Sequence, residues 1–158
     1  MNTELLKNVY MFRDLEIVEL VEVLKISRQE SFQEGKVIFL EGEPGDRFYI
    51  IESGEVGISK YIPNAGEEQF KTLKAGDYFG EMAIIDGSPR SATAIAKADT
   101  LCLVLDKASM DNLLHSNHAL GNKLLTVFCR TLSSRLRETN TKIASFIAMT
   151  AGFGEQMY

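Results

Sequence analysis

The stretch 79–93 brings together residue types that can bind a phosphate and a sugar. Glu81 is acceptor-only when ionised, so its carboxylate can accept hydrogen bonds from sugar hydroxyls. Arg90 has a forked set of donors that suits a phosphate. Gly80 lets a ligand approach the backbone closely, and a helical turn after it would offer free N–H groups to an anion. These features together predict a nucleotide-sized site.

The loop 86–89, Asp-Gly-Ser-Pro, is a dense turn signal that can bring Arg90 back towards Glu81. Each part also has a simpler interpretation: a single Arg or Glu is usually a solvated surface residue, and a Gly before a helix is usually only a turn. Their occurrence together, between two apolar strand-like runs, favours the site.

This stretch resembles the phosphate-binding cassette of the cyclic nucleotide-binding domain family, whose pattern is roughly F-G-E-[LM]-[AG]-[LI], a short loop, then R-[ST]-A. Residues 79–84 and 90–93 match that pattern. The resemblance implies that Arg90 and Ser91 bind the cyclic phosphate with backbone N–H groups near Ala83, and that Glu81 accepts the ribose 2′-hydroxyl. The candidate cassette residues are Phe79, Gly80, Glu81, Met82, Ala83, Arg90, Ser91 and Ala92.

Residues 135–143 resemble the R-L-x-x-T-S-x-K-V stretch of the long C-terminal helix in the bacterial activators of this family. The resemblance implies that Thr139 and Asn140 contact the base, the second of them across a dimer. Asn140 departs from the Ser of the pattern, and its amide can both donate and accept, which suits either purine. The resemblance favours cAMP over cGMP as the ligand. The simpler alternative is that both are ordinary polar surface residues, and Arg130, Arg135, Arg137 and Lys142 are expected on the solvated face of this helix.

The pattern along the chain predicts a single, mainly β domain over 1–158 with flanking helices. We expect N-terminal helices over 1–26, short strands with Gly-containing turns over 27–105, helices over 106–149 and a tail over 150–158. The family resemblance implies an eight-stranded jelly-roll-like β-roll. In detail, the N-terminal helix should break near Arg13, a short strand should cover 70–73, and Asp106 should cap the helix that follows it.

A long helix is predicted from about 119 to 148, because Leu125, Leu132, Leu136 and Ile143 recur at helical spacing. About 30 residues extend roughly 45 Å, too far for one small barrel to cover. We therefore expect a homodimer that pairs this helix with its copy. The alternative is a helix that lies wholly on its own barrel.

Composition excludes several classes of protein. The 158 residues carry a net charge of −5, which argues against a nucleic-acid-binding surface. No apolar run reaches the length of a membrane span, and the N-terminus lacks a signal-peptide pattern. Cys102 and Cys129 have no metal-ligand spacing, so we expect no metal site, no cofactor, and a reducing cytoplasmic setting.

The predicted function is a stand-alone cyclic nucleotide sensor in which ligand binding repositions the C-terminal helix. No nucleophile–base pair stands out, so we expect no enzyme, and no helix-turn-helix module follows 149, so we expect no direct DNA contact. The main alternative is a ligand-free protein-interaction module with the same fold. Regulation of DNA through a separate partner and haem or iron–sulfur variants have less support, and the sequence identifies no downstream partner.

Overall fold

The computed structural model of the protein describes residues 3–154, with side chains at 3 and 6–150. The helices are α1 (Thr3–Asn8), a 3₁₀ helix (Tyr10–Phe12), α2 (Ile17–Lys25), α3 (Glu81–Asp86), α4 (Lys107–Ser116) and α5 (His118–Gly154). The strands are β1 (Ser27–Phe32), β2 (Val37–Phe39), β3 (Arg47–Ser53), β4 (Glu55–Ile62), β5 (Gly66–Lys74), β6 (Tyr78–Phe79), β7 (Thr93–Ala96) and β8 (Thr100–Asp106).

The strands form two four-stranded antiparallel sheets, in the orders β1-β8-β3-β6 and β2-β7-β4-β5. Helix α1, the 3₁₀ helix and α2 precede the first strand, and α4 and the long helix α5 follow the last strand. The predicted eight-stranded β-roll with flanking helices is therefore confirmed. The break in the N-terminal helical region near Arg13 is also present, between the 3₁₀ helix and α2.

Two hydrophobic layers explain why β3 and β8 read as almost continuous apolar runs. On β3, Phe48 and Ile50 pack with the helices, whereas Tyr49 and Ile51 point into the roll. Strand β8 alternates in the same way, so both faces of this central pair are buried. The helix-side layer includes Leu6, Phe12, Leu20, Leu103, Leu105, Leu120, Leu124 and Phe128. The inner layer includes Val56, Leu73, Phe79, Ala94, Cys102 and Val104.

Three local predictions differ from the structure. Strand β5 runs over Gly66–Lys74 rather than 70–73, because its backbone pairs along the whole of β4 although most of its side chains are exposed. Asp106 occupies the N-cap position of α4, but its carboxylate makes no capping hydrogen bond and pairs with Arg28 instead. Helix α5 continues through the predicted tail to Gly154, since Gly lowers helix propensity by only about 1 kcal/mol per residue. The rest of that tail, 155–158, lies outside the described residues.

Helix α5 is anchored at its start and exposed at its end. Asn117 accepts a hydrogen bond from the N–H of Leu120, and Lys123 forms an ion pair of 2.8 Å with Glu19 of α2. From residue 133 to 150 every side chain except the half-buried Arg135 is exposed. The 37 residues of this helix extend roughly 55 Å, so its second half reaches beyond the core of the domain.

The two cysteines differ in environment. Cys102 is fully buried in the roll, as predicted, and burial raises the pKa of its thiol to about 12. Cys129 is exposed on α5. Between residues 3 and 154, no helix is both long enough and apolar enough to span a bilayer. Among the side chains that the structure describes, at 3 and 6–150, no group of three or more His, Cys, Asp or Glu is placed to hold a metal ion.

Candidate functional site

Two left-handed glycines bound the short helix α3. Gly80 has a φ of 79° at its start and Gly87 a φ of 69° at its end, a conformation that side-chain-bearing residues rarely adopt. Asp86 accepts a hydrogen bond from the N–H of Ser88, which tightens the following loop. The chain then returns Arg90 to the start of α3, where a Cβ on Gly80 would lie 2.8 Å from Nη1 of Arg90. The predicted return of this arginine is therefore present.

Arg90 is a buried cation with few protein partners. Only 5% of the residue is exposed, and its Nη1 donates to the carbonyl of Arg47 at 2.9 Å and to that of Gly80 at 3.0 Å. The guanidinium lies 4.1 Å from the ring centre of Phe39. Burial lowers the pKa of Arg90, and its buried Nε has no hydrogen-bond partner among the described residues. A buried guanidinium with a spare donor suits an anionic ligand.

Glu81 is a buried carboxylate that pairs with a cation on α5. The residue is 2% exposed, and one of its oxygens accepts from Nη1 of Arg135. Burial raises the pKa of Glu81, and the charge of Arg135 opposes that shift. Arg135 also lies over the ring of Tyr78, 5.5 Å from its centre. The carboxylate keeps further lone pairs that a ligand hydroxyl can use.

A cavity of about 640 Å³ lies between the cassette, β5 and α5, and is called the cassette cavity below. Nine of the ten predicted site residues line it: Phe79, Gly80, Glu81, Met82, Ala83, Arg90, Ser91, Ala92 and Thr139. Asn140 does not line it and is exposed on α5. The nine residues come from two segments more than forty positions apart, as the resemblance implied.

The cavity has two buried charges in the cassette and mostly apolar surface elsewhere. Arg90 and Glu81 are the buried charges, and Phe70 on β5 and Phe146 on α5 contribute apolar rings. The exposed side chains of Lys71, Glu138 and Lys142 also line the wall. Phe70 is 54% and Phe146 66% exposed, so a bound ligand could cover both rings. This arrangement can hold an anion and a hydroxyl at the two buried charges and a flat apolar group against the rings.

Some functional candidates were missed in the sequence. Arg135 was assigned to the solvated face of α5, and this was wrong, because its guanidinium turns to Glu81. Arg135 lies four residues, or about one helical turn, before the predicted site residue Thr139. That spacing places both on one face of the helix and could have identified Arg135 as a site residue. Gly45 was also missed: a Cβ there would clash with Ala83 and lie 3.0 Å from Nε of Arg90. The turn-rich segment 41–46 gave no sign of that contact.

Comparison with known proteins identifies relatives of this chain. A family model described as the cyclic nucleotide-binding domain matches residues 29–117. The CRP-like cAMP-activated global transcriptional regulator of Mycobacterium tuberculosis is 31% identical over 144 residues, which cover 91% of this chain and 62% of that protein. The cAMP-dependent protein kinase regulatory subunit of Candida albicans is 37% identical over 109 residues, 69% of this chain and 23% of that protein. The chain thus spans less than two thirds of either relative.

Solved structures show the same fold. A cyclic nucleotide-binding domain from Methylobacillus flagellatus has a TM-score of 0.82 at 30% identity and covers 90% of this chain and 84% of its own. The regulatory domain of Toxoplasma gondii protein kinase A, co-crystallised with cAMP, has a TM-score of 0.72 at 31% identity, with coverage of 84% and 48%. The chain belongs to the cyclic nucleotide-binding domain family.

Proposed function

We propose that this chain binds a cyclic purine nucleotide in the cassette cavity, prefers cAMP to cGMP, and acts as a regulatory sensor rather than as an enzyme. The observation that carries the proposal is a buried guanidinium and a buried carboxylate, Arg90 and Glu81, in the wall of a cavity of about 640 Å³. Cavities of roughly 300–1,000 Å³ are typical of small-molecule sites. Relatives at 31–37% identity are named for their response to cAMP.

In the proposed complex the cyclic phosphate lies against Arg90, which supplies its unpaired Nε donor, and against the Ser91 hydroxyl. The ribose 2′-hydroxyl donates to Glu81. The purine lies towards the apolar part of the wall, where Thr139 offers one hydroxyl. A hydrogen bond to a charged group contributes about 1.5–3 kcal/mol net. Three or four such contacts with burial of the base are consistent with roughly micromolar affinity, about −8 kcal/mol.

Ligand binding would act on α5 through Arg135. Glu81 already pairs with this arginine, so a ribose hydroxyl on the same carboxylate changes the environment of the pair. A ligand shifts a conformational equilibrium only when it interacts differently with the two states. The proposed difference is the position of α5, because six of its residues line the ligand cavity: Arg135, Glu138, Thr139, Lys142, Ile143 and Phe146.

We further propose that the sensor is a homodimer through α5. Eight positions on this helix follow alternating steps of four and three residues, the spacing of a two-stranded coiled coil. They are Leu125, Cys129, Leu132, Leu136, Thr139, Ile143, Phe146 and Thr150, and we call them the α5 stripe. In that register Asn140 and Arg135 fall at flanking positions that face each other across the seam. Asn140 of the partner subunit would then reach the mouth of the cavity.

Calorimetric titration of the purified protein with cAMP and cGMP tests this function. Micromolar binding of cAMP, weaker binding of cGMP and at least tenfold weaker binding by Arg90→Ala are expected. The matched control is Arg28→Ala, which removes a surface arginine that pairs with Asp106 outside the cavity. No heat and no thermal shift with either nucleotide would contradict the sensor function and favour a ligand-free interaction module. Unchanged affinity in Arg90→Ala would contradict the assigned site.

A further inference from the structure

A second cavity lies on the other side of α5 from the cassette cavity. It is a groove of about 520 Å³ between Tyr10 of the 3₁₀ helix and the α5 segment 126–137. Its other lining residues are Thr126, Cys129, Arg130, Ser133, Ser134 and Arg137. No Asp or Glu is among the described residues that line it. We call it the arginine groove.

The arginines of the chain divide into two groups. Arg28, Arg47 and Arg135 pair with carboxylates, and Arg90 is buried in the cassette cavity. The other three are Arg13, Arg130 and Arg137, and among the described side chains, at 3 and 6–150, none of them forms an ion pair with a carboxylate.

Two of these unpaired arginines line the arginine groove, and the third stacks on a residue of its wall. Arg130 and Arg137 line it, and the guanidinium of Arg13 lies 4.2 Å from the ring centre of Tyr10, which forms the opposite wall. Three neighbouring cations without a carboxylate form a local positive surface on a chain whose net charge is −5. Such a surface attracts an anionic partner.

The spacing of the cations indicates the form of the anion. Arg130 and Arg137 are seven residues apart, so they lie on one side of α5 roughly 10 Å apart along its axis. Two guanidinium groups at that spacing can each meet a separate anionic group of one ligand. Acidic side chains two residues apart on an extended peptide point the same way at intervals of about 7 Å, and long arginine side chains can reach successive ones. Arginine clusters are a recurrent way to bind acidic peptide motifs.

We propose that the arginine groove binds an acidic, extended segment of a partner protein. The Ser133 and Ser134 hydroxyls between the two arginines can donate to the same carboxylates. Arg130 and Arg137 both lie outside the α5 stripe, at the same heptad position, so pairing of two copies through the stripe leaves them accessible. The proposal does not depend on which nucleotide the cassette cavity binds.

Fluorescence anisotropy with a labelled eight-residue peptide of alternating Ser and Glu tests the proposal. We expect saturable binding that weakens as salt rises, at least tenfold weaker binding by the double variant Arg130→Glu/Arg137→Glu, and no binding of an alternating Ser–Lys peptide. The matched control is Lys36→Glu/Lys97→Glu, which makes the same change in net charge at two exposed lysines far from the groove. Circular dichroism melting checks that each variant is folded, and Arg130→Gln/Arg137→Gln replaces the reversal variant if it is not.

Three results would overturn the proposal. One is the absence of binding of the acidic peptide at millimolar concentration. Another is an equal loss of affinity in the lysine control, because binding would then depend on overall charge alone. The third is binding of the groove to phosphatidylserine vesicles, lost in the arginine variants, with no binding of the peptide, which would assign the surface to a membrane.

Discussion

Glu81 and Arg135 form an ion pair that joins the start of α3 to the middle of α5 across the wall of the cassette cavity. The carboxylate side chain is 3% exposed and the guanidinium side chain 37% exposed. The pair therefore links the cassette to the helix whose second half lies outside the core. A ligand that hydrogen-bonds to Glu81 and a movement of α5, which carries Arg135, would therefore both change the geometry of the same ion pair.

Removal of Arg135 should uncouple the ligand from the helix. In Arg135→Ala the buried Glu81 carboxylate loses its cation, so we expect several-fold weaker cAMP binding and a smaller ligand-induced change in amide hydrogen exchange over 136–150. Lys74→Ala, which removes an exposed ion pair with Glu55, is the control. A variant that binds cAMP and alters exchange over 136–150 like the wild type would show that the pair does not transmit the signal.

Glu81 should make stability depend on pH. Burial raises its pKa above the ordinary value of 4.5, so its folded-state pKa exceeds the unfolded one. The folded state then favours the protonated carboxyl, and the contribution of Glu81 to stability is full below pH 4.5 and declines as pH rises through the raised pKa. The free energy of unfolding of the wild type, minus that of Glu81→Gln, should therefore fall as pH rises from 4 to 7.

Urea unfolding of both proteins at several pH values measures that difference. The glutamine variant keeps the shape of the side chain and removes its titration, so other titrating groups cancel in the subtraction. A difference that rises with pH would mean that the charge of Arg135 outweighs the cost of burial and that the pKa of Glu81 is lowered rather than raised.

Gly45 should be needed for the shape of the cassette. A Cβ at this position would clash with Ala83 and press on Nε of Arg90, so Gly45→Ala should lower stability by about 1–3 kcal/mol and also weaken cAMP binding. Gly35→Ala is the control, because a Cβ there meets nothing within 4 Å although its φ is +81°. That control should lose stability and keep its affinity. Equal affinity in Gly45→Ala and the wild type would contradict the close contact.

The cassette could be predicted because its chemistry is contiguous in the sequence. Glu81 and Arg90 are nine residues apart, and the glycine, turn and proline signals between them fix a local path. Strands β2, β3, β4, β7 and β8 were likewise readable from apolar runs and turns. The orientation of α5 could not be predicted from the sequence. Arg135 has the spacing of any polar residue on an amphipathic helix, and its contact with Glu81 exists only because α5 packs over β6 and α3.

Gly45 and strand β5 illustrate two further reasons why parts of the structure could not be predicted from the sequence. Gly45 matters because of atoms supplied by Ala83 and Arg90, 38 and 45 residues further along the chain, and no local pattern reports such a contact. Strand β5 has mostly exposed side chains, so it shows little hydrophobic alternation, and its backbone pairing with β4 alone defines its length. Both features depend on tertiary contacts rather than on residue type.

A charge in the α5 stripe should dissociate the proposed dimer. Leu136 is 61% exposed and Ile143 52% exposed in the single chain, and a coiled-coil partner would bury both. We expect Leu136→Asp to be monomeric in analytical ultracentrifugation at concentrations where the wild type is dimeric. Ala148→Asp is the matched control, since this exposed residue lies on the opposite side of the same helix from the stripe and should leave the dimer intact.

Cys129 provides an independent measure of the same interface. It lies in the stripe and is exposed in the single chain, whereas Cys102 is buried with a thiol pKa raised to about 12. Alkylation at pH 8 followed by mass spectrometry should therefore modify Cys129 and spare Cys102 in the folded protein. If two copies pair through the stripe, the rate at Cys129 should fall as the wild-type concentration rises and stay constant in Leu136→Asp. A rate at Cys129 that is independent of concentration in a protein shown to be dimeric would assign the interface to another surface.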